Sequence, residues 1–124
     1  MSWKDIVLQH AQKESPKEIC GLLTIYKGRE KYFPCKNIAE DKGEYFILDP
    51  DDWIKAEDEG EVVAVIHSHP NHPPYPSDAD LASCEYLDLP FYIVTPETEQ
   101  WHYFKPSGYK KGLIGREWVS GVQD

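Results

Sequence analysis

Val62-Val63-Ala64-Val65-Ile66-His67-Ser68-His69-Pro70, continued through Asn71-His72-Pro73-Pro74-Tyr75-Pro76 to Ser77-Asp78-Ala79-Asp80, is the stretch on which the reading of this chain turns. The run from Val62 to Ile66 is apolar and branched and has the length of a buried strand, so the two histidines are expected where that strand emerges. Residues two apart on a strand point the same way, which lets His67 and His69 converge while Ser68 faces elsewhere. Prolines 73, 74 and 76 stiffen the loop that follows, and a helix is expected to start near Ser77 and carry Asp80 one turn in. Two imidazoles and a carboxylate make a three-ligand zinc site whose fourth position stays open to water, the pattern of catalytic rather than closed structural zinc.

An open site of that kind implies hydrolysis. The metal lowers the pKa of its water toward ~7 and polarises the carbonyl under attack. A general base has to come from elsewhere, and Glu18, beside the first hairpin strand, is the candidate. Ser77 is the candidate donor to the oxyanion, a role in which one well-placed donor is worth ~3 kcal/mol. Each residue also has a plainer reading. Ser77 with Asp80 three positions on is a capping-box pattern, two histidines at a strand end fit a polar rim, and Glu18 is one of 22 acidic residues. His72 is near enough in sequence to be an alternative ligand, but its loop setting between Asn71 and Pro73 favours a solvated side chain. His10 and His102 read as ordinary surface or strand residues, and Ser68 as a residue that holds the turn. The joint spacing, more than any single residue, points to metal.

At 124 residues the chain is about one domain, long enough for a real core. Its net charge of -9, with acidic clusters at Asp49 to Asp52 and Glu57 to Glu61, would repel a phosphate backbone, so nucleic acid is not an expected partner. Cys20, Cys35 and Cys84 lack the close pairing of a zinc finger and are an odd number, which suits buried thiols in a reducing compartment. The N-terminus has no long hydrophobic region or cleavage site, and no apolar run approaches the ~20 residues of a membrane span, so a soluble, unprocessed chain is expected.

Ser2 with Asp5 resembles a capping box, and Trp3, Ile6, Val7 and Ala11 share one helical face, so a first helix is expected to about Glu14, ended by Ser15-Pro16. Glu18 to Tyr26, the turn Lys27-Gly28-Arg29 and Lys31 to Phe33 read as a hairpin. Residues 34–43 read as loop and Tyr45 to Leu48 as another strand. Asp49-Pro50 then opens a helix with Trp53, Ile54 and Ala56 facing inward and Gly60 as its stop. Phe91 to Thr95 and Gln100 to Phe104, flanking Pro96-Glu97-Thr98-Glu99, make a second hairpin. Helices interleaved with these strands give a mixed sheet packed against helices, an α/β fold of the α+β kind. From Pro106 on, glycines scattered among polar residues resemble a linker or an extended arm.

Glu18-Ile19-Cys20-Gly21-Leu22-Leu23, then His67-Ser68-His69-Pro70, six residues, and Ser77-Asp78-Ala79-Asp80 resemble the JAMM/MPN+ zinc metallopeptidase signature, over roughly residues 3 to 105. The resemblance implies a curved mixed sheet flanked by helices with cytidine-deaminase-like layering. It also implies one Zn2+ per chain on His67, His69 and Asp80, Glu18 as base and proton shuttle, and Ser77 supporting the oxyanion. Leu113 to Asp124 is similar to the junction in phage tail-tip assembly proteins, where a JAMM module precedes an NlpC-type cysteine peptidase. That places a metallopeptidase domain at 1–105 and a linker or arm at 106–124 toward an NlpC-type domain that this sequence does not contain, since no cysteine follows Cys84. The implied activity is hydrolysis of a peptide or isopeptide bond in phage tail assembly or cell-wall penetration. The implied substrates are a peptide, a protein tail or a peptidoglycan peptide, with phage tail proteins as partners, in the bacterial host cytoplasm or the virion tail. Two other readings stand beside it: a non-catalytic structural module of a tail, and a bacterial peptidase acting on the carboxyl end of a sulfur-carrier protein.

Overall fold

The computed structural model describes residues 1–109, and the greater part of the expected arm, residues 110–124, lies outside the described residues. The elements run α1 (Trp3–Glu14), β1 (Cys20–Tyr26), β2 (Arg29–Cys35), α2 (Pro50–Glu59), β3 (Glu61–Ser68), α3 (Asp78–Leu87), β4 (Phe91–Thr95) and β5 (Gln100–Phe104). The strands form one sheet in the order β2-β1-β3-β4-β5, in which β3 and β4 run parallel and the other neighbours antiparallel. The sheet is therefore mixed, as the sequence implies.

Local chemistry sets the boundaries. Ser2 and Asp5 close a capping box at the start of α1. Asp49 caps α2, with Pro50 in its first turn where no backbone donor is missed. Lys27 and Gly28 both have positive φ (51° and 78°), the requirement of the two-residue turn that joins β1 to β2 with the right twist. Gly21 is dictated by packing instead: a Cβ there would lie 2.3 Å from the Tyr32 ring and 2.6 Å from the Phe33 carbonyl.

Alternation along the strands builds two cores. Cys20, Leu22, Val65 and Phe91 face Ala56 of α2 and Cys84 of α3, while Leu23, Ala64, Ile66 and Val94 face Val7 and Ala11 of α1. A register shift between Leu23 and Thr24 breaks the alternation in β3, which is why Val62 and Val65 share a face although three residues apart. His67, two residues beyond Val65, consequently points toward α3.

Three expectations require correction. Tyr45 to Leu48 is not a strand; its pairing is limited to an isolated bridge between Asn37 and Leu48. Ile54 is 58% exposed and Ile6 43% exposed, so neither faces the core, and the inward faces of their helices are Trp53 with Ala56 and Val7 with Ala11. A short helix has one narrow buried stripe, and an isoleucine one position off it is left in water. All three cysteines are free and buried.

Candidate metal centre

Three elements converge on one point. β3 delivers His67 at its buried end, and His69 follows one residue past the strand, with its N–H donated to the Val94 carbonyl at 2.9 Å so that the ladder to β4 continues through it. β1 lies on the other side of β3, pairing Cys20 with His67. Ser68 faces away from the two histidines and clamps this edge: its hydroxyl accepts from Ile19 N–H at 2.9 Å, and its own N–H donates to the Ile19 carbonyl at 3.1 Å. That clamp sets Glu18, the residue before Ile19, beside His67, with Oε1 3.8 Å from Nδ1.

Asp80 comes from α3, and its aim is set by the helix cap. Ser77 Oγ accepts from Asp80 N–H at 3.1 Å, and Ser77 N–H donates to Asp80 Oδ2 at 3.0 Å, a completed capping box. The capping and chemical readings of this pair are thus compatible. Oδ2 also stands 3.2 Å from His69 Nε2, and Oδ1 3.3 Å from His67 Nε2. Ligand atoms from His67, His69 and Asp80 all lie within 4.8 Å of one another. Tetrahedral zinc bonds of ~2.0–2.2 Å put neighbouring donors roughly 3.3–3.5 Å apart, and the two carboxylate–imidazole separations fall close to that edge.

The protonation pattern fits a cation as well. His69 Nδ1 lies 3.1 Å from the Pro73 carbonyl, which can only accept, so Nδ1 carries the proton. In neutral His69 the Nε2 lone pair then faces the Asp80 carboxylate, acceptor against acceptor, unless a cation sits between them. His67 is wholly buried, and both of its ring nitrogens lack a hydrogen-bonding partner. The Glu18 oxygen at 3.8 Å is too far to serve and the Asp80 oxygen at 3.3 Å makes no hydrogen bond, and a buried imidazole left in that condition requires explanation. Without metal, burial works against charge on His67, but the Asp80 and Glu18 carboxylates outweigh it and raise its pKa. Burial likewise opposes charge on Asp80, and His67 with His69, helped by the Ser77 N–H, holds its carboxyl well below the usual carboxylate range. These residues fit a divalent metal of the zinc type.

The sequence reading missed Phe46. It stacks on the His67 imidazole with ring centres 4.3 Å apart, while Phe91 meets the same ring edge-on at 5.8 Å, so the histidine is fixed in one orientation. Its only signal was an apolar residue in a stretch that looked like a strand. His72 is exposed, as its loop setting suggested, and stays outside the cluster. His10 pairs with the Tyr32 hydroxyl at 2.7 Å on α1, and His102 sits in β5, its ring edge-on to Tyr75.

Residues 2–105 match the family described as prokaryotic homologs of the JAB domain, and the chain belongs to that family. Among curated proteins it is similar to the tail tip assembly protein K of Escherichia phage N15, 38% identical over 120 residues that cover 97% of this chain and 49% of the relative. It is also similar to the protein of the same name from Escherichia phage lambda, 39% identical over 77 residues, 62% of this chain and 36% of the relative. The chain spans about half the length of the first of these relatives or less. Among solved structures, a protein from Desulfitobacterium hafniense aligns over 82% of this chain and 76% of its own at 24% identity with a TM-score of 0.68. A JAB1/MPN domain protein from Archaeoglobus fulgidus aligns over 85% and 83% at 21% identity with a TM-score of 0.56. These two likenesses are of fold.

Proposed function

We propose that the chain is a zinc-dependent peptidase that hydrolyses a peptide or isopeptide bond with water, working in the assembly of a phage tail. The observation that carries the reading is the meeting of His67, His69 and Asp80, with both imidazole Nε2 atoms turned toward one carboxylate and Glu18 beside them. His67, His69 and Asp80 would hold the zinc, which when bound supplies Lewis-acid polarisation of the amide carbonyl and acidification of water.

The chain's own residues supply the rest. Glu18 lies on the wall of the same cavity as His69, Ser77 and Asp80, and only a tenth of its side chain is exposed. Its carboxylate takes a proton from the attacking water and returns one to the departing amine, so that water adds across the C–N bond to give acid and amine. The Ser77 hydroxyl accepts from Asp80 N–H through a lone pair, which leaves its hydrogen for the carbonyl oxygen as negative charge develops there. Phe46 and the Pro73 carbonyl fix the two imidazoles, so little reorganisation is needed at reaction. The names of the curated relatives support a setting in the virion tail with tail proteins as partners. Among the described residues no helix is long and apolar enough to cross a membrane.

The test is Glu18→Gln in the full chain. Turnover of a quenched peptide pool should vanish while zinc content stays that of the wild type. Turnover surviving the substitution sinks the role of Glu18, and zinc retained with no turnover in the wild type favours a structural tail module.

A further inference from the structure

The candidate metal centre opens into a cavity of about 1090 Å³, with Glu18, His69, Ser77 and Asp80 on one wall. Its other walls are apolar: Phe46 and Leu48 from the segment before α2, Trp53 and Ile54 from α2, Tyr75 from the proline loop and Leu87 from the end of α3. Several of these side chains contribute little to the core. Tyr75 is 67% exposed, Ile54 58%, and Ile47 and Tyr45 on the same rim 46% and 43%. Large apolar residues scattered singly over a surface need no account, but four gathered at the mouth of a cleft beside a candidate metal centre mark a place where something apolar binds. The charged side chains on the walls add a second constraint. Glu18, Glu44 and Asp80 are carboxylates, and among the described residues no lysine or arginine lines the cavity. Three carboxylates outweigh even a divalent cation held by His67, His69 and Asp80, so a ligand that brings its own carboxylate meets repulsion at Glu44 and Glu18 and finds no lysine or arginine to offset it.

We propose that this cavity is a side-chain subsite that sets the substrate class: an internal segment of a protein, with a bulky apolar or aromatic residue beside the scissile amide and no carboxylate near it. Alanine-rich stem peptides of a cell wall, which carry free carboxylates and small side chains, match neither feature of the cleft. The inference rests on the peptidase reading above, but its test is equilibrium binding, which does not require turnover.

The probe is a set of fluorescent, end-blocked peptide pools with one central position fixed as Trp, Phe or Leu, compared with pools fixed as Ala or Asp and with an alanine-rich, carboxylate-bearing stem peptide. Binding is read by anisotropy on the zinc-loaded full chain, as wild type in the cold in the first readings after mixing, so that Glu18 keeps its charge, and as Glu18→Gln, so that no peptide is consumed. The apolar pools should bind at least ~tenfold more tightly than the Ala, Asp and stem peptides. Ile54→Ser and Tyr75→Ser, at exposed positions outside both cores, should each weaken apolar binding severalfold with zinc content unchanged and melting temperature little changed. The proposal is overturned if the stem peptide or the Asp pool binds as tightly as the apolar pools, if the two serine variants leave apolar binding intact, or if the apolar pools show no binding at about 1 mM. Selective apolar binding without cleavage of those pools by the wild type would refute the peptidase reading and keep the subsite. Cleavage without apolar preference would do the reverse.

Discussion

The capping role of Ser77 and its proposed role as oxyanion donor are separable, and a pair of substitutions resolves them. Its Oγ accepts the Asp80 N–H at 3.1 Å as the N-cap of α3, and its hydroxyl hydrogen is the proposed donor to the oxyanion. The other half of the capping box, Ser77 N–H to Asp80 Oδ2 at 3.0 Å, uses the backbone and survives any substitution except proline. Ser77→Ala removes the cap acceptor and should cost about 1 kcal/mol, a melting shift of roughly 4 °C for a domain of this size. Ser77→Gly should cost only a few tenths of that energy, because glycine is itself tolerated at the N-cap. Both variants lose the hydroxyl, so both should lose about 100- to 1,000-fold in kcat. Zinc stoichiometry should be unchanged in each, since Asp80 keeps its backbone tether. Thermal melts, metal analysis and turnover of a quenched peptide pool measure the three quantities on one preparation. A glycine variant with turnover near the wild type would refute the oxyanion role and leave Ser77 as a cap alone. Turnover that tracks melting temperature across the pair would place the effect in the fold rather than in the chemistry.

Other outcomes follow from the packing and the site. Gly21→Ala forces a methyl into the Tyr32 ring and the Phe33 backbone, so chemical denaturation should show a loss of about 1–3 kcal/mol, and an unchanged midpoint would contradict the close approach. Burial pushes the Cys35 thiol up to about 12 and the Cys84 thiol up to about 11, and raises that of Cys20 as well, so none should react with a thiol reagent at neutral pH until the chain unfolds. Rapid labelling of the native chain would contradict the burial of these thiols. In the proposed site zinc and protons would compete for His67, whose pKa in the metal-free chain burial works to lower but Asp80 and Glu18 raise on balance. Metal affinity is therefore complete above that raised value and should weaken about tenfold per pH unit for each proton displaced as pH falls below it. A zinc dissociation constant that does not change between about pH 5 and 7 would contradict the histidine assignment.

How much of this was legible in the sequence depended on whether a signal is local. The caps at Ser2, Asp49 and Ser77 and the Lys27-Gly28 turn are short-range chemistry, and the structure places them where the residues imply. The convergence of His67, His69 and Asp80 was readable because strand parity, a stiff loop and one helical turn are fixed geometries. Glu18 could be offered only as a candidate beside the first hairpin strand until the family signature singled it out, since its approach depends on the β1–β3 register and on the Ser68 clamp, neither of which has a local mark. Tyr45 to Leu48 was misread because branched and aromatic residues serve a strand and a cleft wall equally well. In the structure Phe46 covers His67, a candidate ligand, and Ile47 rims the cavity, so their apolarity belongs to the cleft and not to a sheet. Ile54 was misread for the same reason: it looks like core and lies on the rim of the cleft.

The central claim is that His67, His69 and Asp80 form a zinc site, and X-ray absorption at the zinc edge on the protein purified without added chelator measures it most directly. The account predicts about one zinc per chain, with two imidazole nitrogens and a carboxylate oxygen at ~2.0–2.2 Å and the metal lost in Asp80→Ala. A protein that takes up no zinc at neutral pH, or zinc that remains bound with a sulfur shell at ~2.3 Å after Asp80→Ala, would contradict it.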